Sequence, residues 1–370
     1  MSFSAFDHEC MARALRLARK GLYTTDPNPR VGCVIADGER VIGQGWHQYA
    51  GGPHAEVAAL QDAGKPVTGT TAYVTLEPCS YHGRTPPCTD ALLEAGVSRV
   101  IVASGDPNPR VDGSGVDRLR AAGVRVDTGL MKIQAEALNP GFFARNRRGR
   151  SWLRVKSAVS LDGRIGLRNG DSKWISSAAS RADVQRWRAR SSAILTGIGT
   201  VLADDPSMTA RVEGAVVQPT RVIADSHWRT PPDAKILAGE APVLIAGDAS
   251  REIPAGLKKS RARLLPLPAD EGGIDLVALF TELAEMEINE VQAEAGSRLC
   301  GAFLEAGLVD ELLLYQAPVL LGDGGPGPFA FGPLESMAER SHLQLVETTR
   351  FGDDLRLRLR PRPPNTSDKQ

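Results

Sequence analysis

Three potential metal ligands lie within one stretch of the chain, from residue 53 to residue 88. His54 comes first, Cys79 follows a proline, and Cys88 follows two more. One imidazole and two thiolates supply three ligands to a tetrahedral zinc ion, and water can take the fourth position. A structural zinc site has a fourth protein ligand instead, so this set predicts a catalytic site. Any fold of this chain must bring these distant residues together.

Glu56 lies two residues after His54, near the predicted water without having to be a ligand. A zinc ion held by two thiolates is almost neutral, yet it lowers the pKa of bound water from about 15.7 towards roughly 7. The resulting hydroxide can attack an electron-poor C=N carbon. Glu56 would take the proton from the water and return it to the ring nitrogen and then to the leaving amine. A carboxylate does this best when a dry pocket raises its pKa.

The order of these residues, His-x-Glu followed by Pro-Cys and a second Cys, is typical of zinc deaminases that act on nucleobases and related pyrimidines. The usual second half is Pro-Cys-x-x-Cys, whereas eight residues separate Cys79 from Cys88 here. Two interpretations are open at this point: a deaminase with an insertion between its thiolates, or chance. A lone His-x-Glu is most often surface helix or core, but two cysteines following in order favour the deaminase.

Composition restricts the class of ligand and the compartment. At 370 residues the chain is long enough for two domains, and 44 basic residues balance 44 acidic ones. No net charge attracts nucleic acid or membrane, which leaves a small molecule as substrate. Neither a signal peptide nor an apolar segment long enough to cross a bilayer is evident. Cys10, Cys33 and Cys300 fit buried thiols in a reducing compartment, so we expect a cytoplasmic protein.

Short strands and amphipathic helices alternate in the first half, which predicts an α/β sandwich around a mixed sheet. Two of the helices begin near His54 and near Pro86, each after a strand, so their starts would bring the ligands together. The basic run at 142–150 is interpreted as a solvated face or a linker, with the domain boundary near residues 146–150. The predicted strands are 31–35, 41–43, 71–76, 99–103 and 124–126, and the other helices are 7–20 and 116–122.

One short motif occurs twice. Asp26-Pro27-Asn28-Pro29-Arg30-Val31 returns at residues 106–111 with the same six residues. Two interpretations are open: two rigid turns of similar shape, or two loops that frame the pocket, with Asn28 hydrogen-bonding a ring edge.

The second half also alternates strands and helices. A glycine-flanked turn at 295–301 opens a helix, and its free backbone N–H groups could bind an anion such as a cofactor phosphate. The pair Gly197 and Gly199 lacks the third glycine of a Rossmann fingerprint, so it does not by itself predict a dinucleotide site. The predicted strands are 152–158, 192–196, 220–224, 242–246, 263–267, 290–294, 312–315 and 355–359, and the helices are 177–190 and 276–286.

Taken together, these motifs resemble the bifunctional deaminase–reductases of riboflavin biosynthesis over nearly the whole chain. The matching segments of the first half are 28–32, 45–47, 53–56, 77–79 and 83–88, and those of the second are 160–163, 199–206 and 294–296. In this family the longer gap between the thiolates is normal. The resemblance implies a cytidine-deaminase-like α/β/α sandwich at 1–147 and a dihydrofolate-reductase-like α/β domain at 148–362. A disordered tail is expected at 363–370.

The resemblance also implies two consecutive reactions. The first domain would deaminate 2,5-diamino-6-ribosylamino-4(3H)-pyrimidinone 5′-phosphate with one Zn²⁺ per chain. The second would use NADPH to reduce the ribosyl group to ribityl, giving 5-amino-6-(5-phosphoribitylamino)uracil. A homo-oligomer is the expected assembly, with no nucleic acid or membrane partner.

Site residues follow from the resemblance position by position. His54, Cys79 and Cys88 match the zinc ligands and Glu56 the proton shuttle. The pocket of the deaminase would be lined by Asn28, His47, His82 and Arg84. Cofactor positions are Ala158, Trp174, Thr200, Asp204, Ser226, Gly296, Ser297, Arg298, Leu299, Cys300, Gly301 and Ala302. Substrate positions are Ser172, Arg188, Met208, Arg211 and Glu294, where Met208 replaces the family's more frequent leucine. Arg188 and Arg211 suit the substrate phosphate, because a guanidinium can bind it bidentately.

Two other functions are weighed against this one. The first is a zinc deaminase of nucleosides or tRNA bases with a noncatalytic C-terminal domain, which the neutral charge and the long matching second half disfavour. The second is a regulatory or scaffold protein that has lost activity, which the intact His54, Glu56, Cys79 and Cys88 disfavour. Zinc content, ammonia release and NADPH oxidation separate the three. The sequence leaves open the transfer of the intermediate, the hydride face and the general acid of the reductase.

Overall fold

The computed structural model describes residues 3–64, 66–81 and 86–362. The chain divides into two compact units: unit 1 comprises residues up to Gly149 together with Ala215–Val217, and unit 2 comprises Arg150–Gly214 and the chain from Gln218 onward. The expected tail at 363–370 lies outside the described residues. Among those described, no helix has both the length and the apolar character needed to span a bilayer.

Unit 1 contains a five-stranded mixed sheet in the order β2-β1-β3-β4-β5. β1 is antiparallel to β2 and to β3, whereas β3, β4 and β5 are parallel. The strands are β1 (Gly32–Asp37), β2 (Arg40–Trp46), β3 (Thr71–Val74), β4 (Arg99–Val102) and β5 (Arg125–Thr128). The helices are α1 (Ala5–Ala18), α2 (Ala55–Ala63), α3 (Cys88–Glu94), α4 (Ser114–Ala121), α5 (Lys132–Leu138) and α6 (Pro140–Arg148).

Alternate residues of the strands in unit 1 enter two different cores. Cys33 and Ile35 of β1 pack on the side of α2, α3 and α4, whereas Val34 and Ala36 pack on the side of α1 and α5. This is the period-two burial expected of a sheet covered on both faces. The predicted α/β/α sandwich is therefore confirmed, and the thiols of Cys10 and Cys33 are buried and free.

The basic run at the end of unit 1 was interpreted as a solvated face or a linker, with the domain boundary near residues 146–150; the two units divide between Gly149 and Arg150. The run forms α6, whose arginines lie towards its C-terminal turn, where positive charge is favourable. Phe142 and Phe143 on the same helix are buried against Leu76. Neither α5 nor α6 was predicted.

Unit 2 contains a nine-stranded sheet in the order β10-β9-β8-β7-β13-β6-β14-β16-β15. The first seven are parallel, and β16 and β15 are antiparallel to their neighbours. The strands are β6 (Trp152–Val159), β7 (Ala193–Gly197), β8 (Thr220–Ala224), β9 (Val243–Asp248), β10 (Arg263–Leu267), β11 (Ala269–Asp270), β12 (Gly273–Ile274), β13 (Glu290–Ala293), β14 (Val309–Gln316), β15 (Leu343–Phe351) and β16 (Asp354–Pro361). The helices are α7 (Ala178–Arg190), α8 (Ile198–Asp204), α9 (Ala255–Lys258), α10 (Leu276–Glu285) and α11 (Ser297–Glu305).

The parallel strands of unit 2 are covered by helices, as their apolar runs predict. Leu279 and Phe280 of α10 and Phe303 of α11 pack in one core with the strands, while Ile194 and Ile223 enter a second core. Ser177 caps α7 by accepting a hydrogen bond from the Ser180 amide, as expected of an N-cap serine. Among the longer elements of unit 2, the edge strand β15 was missed by the sequence analysis.

Candidate functional site

Two of the three predicted metal ligands begin helices. His54 occupies the N-cap position of α2 and Cys88 is the first residue of α3, while Cys79 lies in the irregular loop after β3. The position of α2 depends on Gly45 of β2: a Cβ there would lie 2.4 Å from the Ala59 nitrogen. Only glycine permits so close an approach of helix and strand.

The three ligand atoms converge. His54 Nδ1 is 3.1 Å from Cys88 Sγ and 3.6 Å from Cys79 Sγ, and all three atoms lie within 4.8 Å of one another. The Cys88 amide donates a hydrogen bond of 3.3 Å to Cys79 Sγ. One imidazole nitrogen and two sulfurs are the donors that suit zinc, so the residues present fit this ion.

The electrostatics of the ligand set also fit a cation. Contact with the Cys88 thiol, followed by contacts with His54, lowers the pKa of Cys79, whereas contact with Cys79 and burial raise the pKa of Cys88. A hydrogen bond with Cys79 and the charge of Glu56 raise the pKa of His54 against the effect of burial. The two sulfurs therefore differ in how readily they ionise. Metal binding requires both to be thiolates, and it would therefore release a proton.

Glu56 lies in the first turn of α2 and is 3% exposed. Burial raises the pKa of its carboxyl, the charge of His54 lowers it, and the Cys79 sulfur raises it further. The Cys88 side chain is within hydrogen-bonding reach of the carboxyl. A buried carboxyl with a raised pKa beside the ligand set can both accept and return a proton, as predicted for this residue.

The first copy of the repeated motif lies beside the ligands. The Nδ1–H of His47 donates to the Pro53 carbonyl at 2.9 Å, which leaves its Nε2 to accept from the Asn28 amide at 3.0 Å. Burial lowers the pKa of His47, which favours the neutral ring. Its centroid is 5.3 Å from that of His54. The structure thus brings Asn28 and His47 to the ligand set, while His82 and Arg84 lie outside the described residues.

The second copy of the motif contributes Asp106, which the sequence analysis did not assign. Burial raises the pKa of this carboxyl to about 7, and the charges of Glu77 and Cys79 act in the same direction. Glu77 was quoted as part of the Glu-Pro-Cys motif but given no role. The recurrence of the motif was the available signal for Asp106, and the buried charge next to a ligand was the signal for Glu77.

The predicted cofactor positions of unit 2 gather at the carboxyl ends of parallel strands. Ala158 lies near the end of β6, α8 with Thr200 follows β7, and Ser226 follows β8. Gly296 is the N-cap of α11, just after β13. Carboxyl ends of parallel strands meet at one edge of a sheet, where α/β proteins bind their ligands. The structure therefore brings these positions, which are scattered in sequence, to a common edge.

At the start of α11, the groups that could contact a ligand belong mainly to the backbone. Gly296 and Arg298 are exposed, whereas Cys300 and Gly301 are buried within the unit. A Cβ on Gly301 would lie 1.9 Å from the Ala330 carbonyl oxygen, so glycine is required there. Ser297, Leu299 and Ala302 are half-buried. The N–H groups of the first turn are the groups that could bind a phosphate.

Three of the five predicted substrate positions meet at an ion pair. Arg188 Nε is 2.6 Å from Glu294 Oε1, and the side chains are 13% and 12% exposed. The same guanidinium donates to the Thr209 carbonyl at 3.1 Å and approaches the Met208 sulfur at 3.7 Å. Burial would raise the pKa of Glu294, but the charge and hydrogen bonds of Arg188 lower it to about 2. Arg188 is thus already engaged by a carboxylate, and its role in phosphate binding stays a prediction.

Lys156 is a charged residue of this region that the sequence analysis missed. The residue is half-buried. Burial lowers the pKa of its ammonium group, the charge of Glu294 raises it, and that of Arg188 lowers it. The residue lies on β6 two positions before Ala158, and therefore on the same face of the strand. A lysine inside a predicted buried strand was the signal that could have found it.

The other predicted positions are more exposed. Arg211 donates to the Thr209 hydroxyl at 3.0 Å. Lys173 forms a 2.8 Å ion pair with Asp204, which joins the segment with Ser172 and Trp174 to the end of α8. Trp174 is 71% exposed and lies under the Arg181 guanidinium.

Family models match both units. Residues 4–104 match the cytidine and deoxycytidylate deaminase zinc-binding region, and residues 151–357 match the RibD C-terminal domain. The chain is 46% identical to riboflavin biosynthesis protein RibD of Escherichia coli over 367 residues, which cover 95% of this chain and 99% of that protein. It is 40% identical to RibD of Bacillus amyloliquefaciens, with 97% of each chain covered.

Solved structures agree with these matches. RibD of Acinetobacter baumannii (form 1) superposes with a TM-score of 0.90 at 43% identity, covering 97% of this chain and 99% of that one. A diaminohydroxyphosphoribosylaminopyrimidine deaminase/5-amino-6-(5-phosphoribosylamino)uracil reductase from Thermotoga maritima superposes with a TM-score of 0.85 at 32% identity, covering 96% and 99%.

Proposed function

The chain belongs to the RibD family, and from that premise we propose how its two units divide the work of a bifunctional deaminase and reductase of riboflavin biosynthesis. Unit 1 would remove the ring amine of 2,5-diamino-6-ribosylamino-4(3H)-pyrimidinone 5′-phosphate as ammonia. Unit 2 would reduce the ribosyl side chain of the product to ribityl. The observation that carries the proposal is the convergence of His54, Cys79 and Cys88 beside the buried Glu56.

In unit 1, His54, Cys79 and Cys88 would hold one zinc ion per chain. Zinc, when bound, supplies an activated water at its open fourth position. Glu56 would take one proton from this water and deliver it to the pyrimidine ring nitrogen. It would then carry the second proton, from the hydroxyl group added to the ring, to the departing amine. The raised pKa of Glu56 supports this role, because a carboxylate with an ordinary, lower pKa would be too weak a base to take a proton from the water. Asn28 and His47, with His82 and Arg84, would bind the ring.

In unit 2, the common edge would bind NADPH, which supplies the hydride that reaches the ribosyl C1′. The backbone from Gly296 to Ala302 would contact its phosphates, and the neighbouring strand ends and loops would orient its other parts. The residues proposed to orient these other parts of NADPH are Ala158, Trp174, Thr200, Asp204 and Ser226. Ser172, Arg188, Met208, Arg211 and Glu294 would bind the substrate. The parallel order of the strands supports this assignment.

One experiment tests both halves of this proposal. The purified chain should contain one zinc per chain, release ammonia from the pyrimidine phosphate and then oxidise NADPH. Removal of zinc with a chelator should abolish ammonia release and leave the reduction of separately supplied deaminated compound unchanged, and added zinc should restore the first reaction. Ammonia release that survives complete removal of zinc would refute the assignment of unit 1.

The proposal extends to assembly and compartment. β15 is an edge strand with exposed apolar side chains, Leu343, Leu345 and Val346 among them. Long exposed edges of this kind are normally covered, which supports a homo-oligomer that buries β15. Light scattering after size exclusion should show an oligomer that Leu345→Lys dissociates.

Free thiols at all five cysteines support a cytoplasmic location.

A further inference from the structure

Glu77 is a buried carboxylate, 5% exposed, whose oxygens are bound by four backbone amides. Oε1 accepts from the amides of Gly115 and Val116 at 3.0 and 3.1 Å. Oε2 accepts from those of Asp106 and Gly113, both at 3.2 Å. Four charge-assisted hydrogen bonds hold this side chain in one orientation.

These bonds fix the loop that carries Cys79. Glu77 stands two residues before the ligand, and its contacts fasten the loop to the start of α4 and the segment before it. On the other side of Cys79, the hydroxyl oxygens of Ser80 and Ser114 are 2.6 Å apart. A Cβ on Gly115 would lie 2.0 Å from the Pro78 carbonyl oxygen, so the loop and α4 are in direct contact.

The three ligands differ in what orients them. His54 and Cys88 are oriented by the helices that they begin, but Cys79 lies outside any helix or strand. The Cys79 sulfur also accepts a hydrogen bond from the Cys88 amide. The position of this sulfur therefore depends on how firmly its loop is held, and Glu77 provides four of the bonds that hold it.

We propose that Glu77 is a positioning residue for the metal site: its carboxylate keeps Cys79 where the other two ligands can share an ion with it. This role rests on the zinc site proposed for unit 1. Partners that orient a metal ligand typically contribute 10- to 100-fold to metal affinity, and we expect roughly this loss when the carboxylate is removed.

Glu77→Gln is the informative change, because it keeps the shape of the side chain. One of its two terminal atoms becomes an NH₂ group, which faces two backbone N–H groups and can accept from neither. The full-length variant should bind zinc roughly 10- to 100-fold more weakly in competition with a chromogenic chelator. With Co²⁺ in place of zinc, its thiolate-to-metal absorption bands should change. NADPH-dependent reduction by unit 2 should be unchanged.

A purely structural role would lower the stability of unit 1 without moving the metal affinity of the folded chain. Asp127→Asn provides the matched control, because Asp127 is also a buried carboxylate of unit 1 and pairs with Arg99 and Arg125 instead of the ligand loop. We expect it to lower the unfolding temperature while its zinc affinity and cobalt spectrum stay those of the wild type.

Gly115→Ala tests the same loop while Glu77 keeps its charge, and its Cβ would lie 2.0 Å from the Pro78 carbonyl oxygen and 3.2 Å from Glu77 Oε1. Its added methyl group should displace Pro78 and weaken zinc binding in the same way, which keeps the test decisive where Glu77→Gln fails to fold. Wild-type zinc affinity in both folded variants would overturn the role of Glu77 and leave the metal site intact. A wild-type chain that binds no zinc would instead overturn the site itself.

Discussion

The two candidate sites of this chain are built in different ways. In unit 1 the ligand atoms lie within 4.8 Å of one another, and two of the three residues begin helices. In unit 2 the proposed cofactor and substrate positions come from residues 158 to 302, and several are exposed, Trp174 to 71%. A site on the starts of rigid helices is assembled in advance of any ligand. A site spread along a sheet edge is assembled by the tertiary structure as a whole.

Glu56→Gln should produce the largest effect, and only in unit 1. The amide can neither take nor return a proton, so kcat for deamination should fall by about 10²- to 10⁴-fold. Reduction of the deaminated compound should keep its wild-type rate, and zinc content should stay the same because Glu56 is not among the proposed ligands. Ammonia release and NADPH oxidation are measured separately. An equal loss of both reactions would mean that the two sites are not independent.

Arg188→Met should produce the largest effect on stability, and it should be confined to unit 2. Removing the guanidinium leaves the buried Glu294 carboxylate without its ion partner, which costs about 3–5 kcal/mol. For a unit of this size, the unfolding midpoint should fall by roughly 10 °C in calorimetry, with the transition of unit 1 unmoved. Lys173→Met removes an exposed ion pair and is the control, since it should hardly shift either transition. A wild-type midpoint in Arg188→Met would contradict the buried ion pair.

Much of the fold could be predicted from sequence, because buried strands and helices carry periodic apolar residues. The exceptions have physical reasons. β15 is exposed along most of its length, so no buried face imposes a pattern on it. In α6 the arginines obscured the buried pair Phe142 and Phe143, since a charged run in sequence does not show which side of a helix it occupies.

The candidate sites also differ in how much of them could be predicted from sequence. His54, Glu56, Cys79 and Cys88 could be predicted from residue types and their order, because zinc chemistry requires those groups. The partners of Glu77 could not, because backbone amides leave no trace in the sequence. Lys156 was missed for a similar reason: its relation to Glu294 exists only once β6 and β13 are adjacent.

Acid should destabilise unit 2 through two of its carboxylates, Glu294 and Glu311. Burial acts against ionisation of Glu294 and Glu311, but the charges of Arg188 and of Arg154 lower both pKa values to about 2. Because these folded-state values lie below the unfolded value of about 4.3, the stabilisation is present above that pH and is lost as pH falls towards 2. At about 1.4 kcal/mol per pKa unit, each group contributes roughly 3 kcal/mol. Calorimetry between pH 6 and pH 2.5 should show that the unfolding temperature of unit 2 decreases once the pH is below 4.5.

The variant Glu311→Gln provides the internal comparison for that titration. It should be less stable than the wild type at neutral pH and should lose less on acidification, since one of the two titrating groups is gone. An unchanged slope would show that the ion pairs of this carboxylate, with Arg154 and Arg358, do not persist in solution.

Asp204→Asn should have the smallest effect on the fold and a specific one on the cofactor. Asp204 is exposed and pairs with Lys173, so the unfolding midpoint should hardly change. If its carboxylate accepts a hydrogen bond from NADPH, KM for NADPH should rise roughly 10- to 100-fold with kcat less affected. Deamination by unit 1 is the control and should be unchanged. A wild-type KM would remove Asp204 from the proposed cofactor site.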